Sequence, residues 1–82
     1  MRESIEVGDL AFLADGAEEF GAIREVFPHW VVVYVENWGE FRVPMDAVRA
    51  VHSKKVIFEV AKLDESLRRA IGHAHDAEEP GL

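Results

Sequence analysis

Residues 30–36, WVVVYVE, restrict the fold more than any other stretch of this chain. Their β-branched and aromatic side chains suit a pleated strand rather than a helix. As a strand the segment is apolar on both sides, with Val31, Val33 and Val35 on one face and Val32 and Tyr34 on the other. Such a strand is normally covered on both faces. The whole chain has only 82 residues and no cysteine. A single small core must therefore form without disulfides, from dense apolar packing or with help from a second copy. The 49% hydrophobic content is enough for such a core.

The pattern around this strand predicts more strands and one helix. DLAFLAD (9–15) alternates, with Leu10 and Phe12 on one face and Ala11 and Leu13 on the other. Asp15-Gly16 signals a turn. EFGAIREVF (19–27) reads as a second strand, in which Gly21 marks a bulge or a close backbone approach. Ile23 and Val26 lie three apart rather than two, which points to a bulge or bend. Pro28 ends the strand. ENWG (36–39) leads as a hairpin turn into EFRV (40–43), with Phe41 and Val43 inward and Arg42 outward. Pro44 cannot donate to a sheet, so pairing stops or moves to an edge there. Met45, Val48 and Val51 then recur every three residues, the period of a 3₁₀-like turn packed as a corner. KVIFEVA (55–61) resumes as a strand, with Val56, Phe58 and Val60 on one face. From Asp64, a good N-cap, the spacing of Leu63, Leu67, Ala70, Ile71 and Ala74 predicts an amphipathic helix over 64–76.

In order and spacing, DG…GAIREV followed by FRVPMDAVRAV resembles the PRC-barrel family of small β-barrels. Asp15, Gly16, Gly21, Ile23 and Val26 carry the first half of the likeness. Phe41, Val43, Pro44, Val48 and Val51 carry the second. The resemblance implies an SH3-like β-barrel of five to six strands over about 7–61. The helix then stands as an appendage, residues 1–76 form one domain, and 77–82 form a flexible tail. It also implies a docking module rather than an enzyme, because every matched residue is structural.

Charge and motifs narrow the functional classes. Sixteen acidic against nine basic residues leave a net charge of −7, and the basic residues are scattered. A phosphate backbone draws on clustered Lys and Arg, so nucleic acid is not expected as the main partner. No apolar run approaches the ~20 residues of a membrane helix, and MRESIEV has no signal-like apolar core. A cytoplasmic protein without a membrane partner is expected. Ser4, Ser53 and Ser66 have no nucleophile-elbow context, and Glu18–Glu19 and Glu78–Glu79 fall in turns or tail. No cofactor motif is present.

Two functional readings follow. In the first, the chain is a non-catalytic interaction or scaffold module that self-associates, forming a homodimer or binding a further protein. Its contact surface uses Leu13, Val32, Tyr34 and Ile57, the face turned away from the barrel interior, together with Trp30 and Trp38. Something must cover an apolar face of that kind: the C-terminal helix, a second copy or another protein. In the second reading His29, His52, His73 and His75 bind a metal or small ligand. Against it, His73 and His75 project about 200° apart on a helix and cannot chelate together there.

Overall fold

A computed structural model describes residues 4–72. The chain forms β1 (Leu10–Phe12), β2 (Gly21–Val26), β3 (Trp30–Val35) and β4 (Gly39–Pro44). A 3₁₀ turn (Met45–Ala47), β5 (Val48–His52), β6 (Lys55–Phe58), a second 3₁₀ turn (Val60–Lys62) and α1 (Glu65–Gly72) follow. The strands make one curled sheet, a half-barrel, in the order β4-β3-β2-β1-β6-β5. The fold is therefore mainly β with one C-terminal helix, as expected. All neighbours are antiparallel except β1 and β6, which run parallel. The sheet has two edges, β4 and β5.

The two irregular spacings in the sequence have one cause. Ile23 pairs with Val33 and Glu25 with Val32, so Arg24 is an extra residue. Ile23 and Val26 share a face because of that bulge. The same happens at Arg49, between the pairs Val48–Phe58 and Ala50–Ile57. Val48 and Val51 thus face the core together as strand residues, and the 3₁₀ geometry expected through Val51 stops at Ala47. The segment expected to be all corner contains a sixth strand. It returns to β6 through Ser53-Lys54, whose φ angles of 53° and 65° are those of a type I′ turn.

The concave side holds the core. Val31, Val33 and Val35 of β3, Ile23, Val43, Val51, Val56 and Phe58 are buried there. Leu63, Leu67 and Ala70 join the same cluster. The helix is therefore not an appendage: it caps the open side of the half-barrel. The last strand ends earlier than expected, at Phe58. Glu59 then donates its amide to the Ala47 carbonyl at 2.7 Å, and Val60 enters a 3₁₀ turn, 45% exposed rather than in the core.

Asp64 caps α1 as the sequence predicts. Its carboxylate accepts the Ser66 amide at 2.9 Å and the Ser66 hydroxyl, while Arg68 closes the first helical turn onto the Asp64 carbonyl. The Ser66 side-chain bond and then its backbone bond hold the Asp64 carboxyl below its usual value of 3.8. A lowered folded-state pKa stabilises above the unfolded value and is lost as pH falls through the folded one. The expected outcome is loss of helical signal below about pH 3.8 that is smaller in Asp64→Asn, whose cap has no charge to lose. Circular dichroism titration of both proteins checks it, and identical curves would remove Asp64 as the cause. Residues 73–82, including the rest of the predicted helix and the tail, lie outside the described residues.

Candidate interaction surface

The convex face of the sheet carries the alternate residues of each strand. Trp30, Val32 and Tyr34 project there from β3, all half-buried. Glu40, Arg42 and Pro44 lie beside them on β4, opposite Tyr34, Val32 and Trp30 respectively. Phe12 and Ile57 are direct partners across β1 and β6 on the same side, with Ala50 next to Ile57 on β5.

Much of this face is covered by the chain's own cations. The Arg24 guanidinium lies over the Tyr34 ring, 4.5 Å from its centroid. Arg42 lies over Trp30 at 5.0 Å, and Lys55 over Phe12 at 5.6 Å. Phe27 also stacks on Trp30, with centroids 5.1 Å apart. Long cationic side chains screen apolar surface with their stems and gain cation–π attraction from the rings. None of these three cations forms an ion pair among the described residues. The cover expected from the helix, a second copy or another protein is thus supplied in part by strand residues.

The expected contact residues divide accordingly. Trp30, Val32 and Tyr34 do face outward, half-buried beneath or beside the arginines. Ile57 points to the convex side but is only 5% exposed, flanked by Phe12 and Ala50. Leu13 belongs elsewhere: it packs against the core cluster on the concave side, like Ala11, while Phe12 takes the convex side. The alternation in 9–15 offered both assignments equally, and the outward one for Leu13 is corrected. Trp38, in the turn joining β3 to β4, is 45% exposed. Asn37 holds that turn at a φ of 73°, and the Trp38 amide donates to the Val35 carbonyl at 2.9 Å.

A second feature lies at the sheet margin. A groove of about 590 Å³ borders β4, lined by residues of that strand from Glu40 to Pro44 on one side and on the other by Lys62 and Asp64 as well as the apolar Leu63 and Leu67. Among the described residues the strand has a neighbour in β3 only. Sequence reasoning did not select this margin, although Pro44 was the signal for it, since proline in a sheet belongs at an edge.

The two histidines among the described residues, His29 and His52, lie in different parts of the sheet. His29 lies in the β2–β3 turn and His52 on β5, the far edge strand, where its Nε2 stands 3.3 Å from Asp15 Oδ2. Among the described residues no group of three or more His, Cys, Asp or Glu side chains is placed to hold a metal ion. His73 and His75 lie outside the described residues. Ser66 serves the helix cap. No helix among the described residues is long and apolar enough to cross a membrane. No family model, curated protein or solved structure matches the chain, so the PRC-barrel resemblance rests on the quoted residues alone.

Proposed function

We propose that the chain is a non-catalytic interaction module that associates with copies of itself, working in the cytoplasm. One observation carries this reading: among the described residues β4 is a sheet edge paired on one side alone, bordered by a groove and preceded by the exposed Trp38. A row of unpaired amides and carbonyls is a template for another strand. Tryptophan is among the side chains that most often anchor an interface. The PRC-barrel resemblance supports the same role, because barrels of that family serve as docking modules. The lack of cysteine fits a reducing compartment. Light scattering over a hundredfold range of protein concentration tests the reading. The expected result is a mass that rises from 9.2 kDa toward twice that value. A constant 9.2 kDa across the range would sink self-association.

A further inference from the structure

The backbone of β4 specifies which registers a second strand can adopt. The Met45 amide donates to the His29 carbonyl at 2.9 Å, the bond that flanks the Trp30–Pro44 pair. Trp30–Pro44 is therefore a non-hydrogen-bonded pair of the antiparallel ladder. Pair types alternate along an unbroken register, so Val32–Arg42 and Tyr34–Glu40 are of the same type. It follows that the amides and carbonyls of Glu40 and Arg42 point away from β3, on the margin that the groove borders. The ring nitrogen of Pro44 points the same way and has no proton to leave unpaired.

Resting on the self-association reading, we propose that two copies join through β4, antiparallel about a two-fold axis at Phe41. A two-fold antiparallel pair centred on this stretch must set outward-pointing residues opposite one another to exchange hydrogen bonds. Three registers do so. Glu40 opposite Glu40 and Arg42 opposite Arg42 each bring like charges together, which destabilises a cross-strand pair. The third sets Glu40 against the second copy's Arg42, and Arg42 against its Glu40. Both charge pairs are then attractive, and each also exchanges two backbone hydrogen bonds.

The same register uses the rest of the strand. Phe41 meets the second copy's Phe41 as a non-hydrogen-bonded pair, where side chains approach most closely. It does so on the concave side, where Phe41 already packs against the core cluster and shares its groove with Leu63 and Leu67. Arg42 keeps its stack on Trp30, since stacking uses the face of the guanidinium and leaves its N–H edge for a carboxylate.

Charge exchange tests this with the full chain. Light scattering would compare wild type, Glu40→Arg, Arg42→Glu and an equimolar mixture of the two variants, with circular dichroism confirming that each is folded. The expected result is a dimer for wild type and a dissociation constant raised about tenfold or more for each variant alone. The mixture should recover the dimer, because every facing pair is again opposite in sign. Variants that dimerise like wild type overturn the β4 seam while self-association through another surface stands. Folded variants that dissociate but fail to recover on mixing overturn the register. A wild type that stays monomeric overturns the seam and self-association together, leaving the edge to a foreign strand.

Discussion

Gly21→Ala is expected to destabilise the domain by about 3 kcal/mol, the upper part of the range for overpacking a closed interior. A Cβ built on Gly21 would stand 2.5 Å from the Tyr34 carbonyl oxygen and 3.0 Å from Val33 Cγ1. The oxygen belongs to the backbone of β3, so relief requires the two strands to move apart. β2 bonds to β1 on one side and β3 on the other, and Gly21 is paired with Ala11. A shift at this position therefore disturbs both ladders. At roughly 0.05–0.15 kcal/mol per residue, a chain of 82 residues has about 4–12 kcal/mol in total. Gly16→Ala is the control, because a Cβ there meets nothing within 4 Å and only the φ of 85° is strained. It should cost about 1 kcal/mol. Urea unfolding measures both, and equal midpoint shifts would mean that close approach at Gly21 does not govern its identity.

What the sequence showed and concealed follows from the same local geometry. Gly21 as a close approach, the bulge after Ile23 and the Asp64 cap were all legible, because each leaves a residue type that has few other uses. The strand order was not, since the parallel β1–β6 contact joins segments more than forty positions apart and no local pattern records it. β5 was hidden for two reasons. Its bulge gave Val48 and Val51 a spacing of three, which imitates a 3₁₀ turn. Its hairpin turn is Ser53-Lys54, residues that do not advertise the positive φ angles they adopt. The convex face was half legible. Its apolar character could be read from Val32 and Tyr34, but the arginines over the rings depend on diagonal neighbours across strands.

These errors bear on function. An apolar convex face without cover would have been the natural docking surface, and the sequence directed attention there. With Arg24, Arg42 and Lys55 lying over its rings, that face has less free apolar area to offer. The margin at β4 retains backbone groups that nothing within the same sheet bonds, and backbone groups give a strand partner both affinity and register. Charge then does the selecting. In an acidic chain of net −7, two copies repel at long range. A seam with two opposite-charge pairs at its centre offsets that repulsion where it matters most.

Phe58→Ala is expected to cost about 3–5 kcal/mol, a large share of the stability of so small a domain. Phe58 is fully buried, and its ring meets Phe20 at a centroid distance of 6.0 Å and a tilt of 58°. Such tilted aromatic pairs contribute beyond the area they bury. Phe58 stands on β6 opposite Val48, in the cluster that also contains Leu63 and Leu67. The cavity left by its removal would be bounded by the sheet and, through that cluster, coupled to α1. Phe12→Ala is the informative comparison. Phe12 is also mostly buried, but on the convex side beneath the Lys55 side chain, which can collapse into the space. Its loss should cost less, because the residual cavity sets the penalty. Urea midpoints for the two variants decide between the faces. A larger loss at Phe12 would place the main core on the side of Leu10 and Phe12 and turn the half-barrel inside out. A larger loss at Phe58 would fix the concave side as the core and leave the β4 margin as the place where a second strand can add.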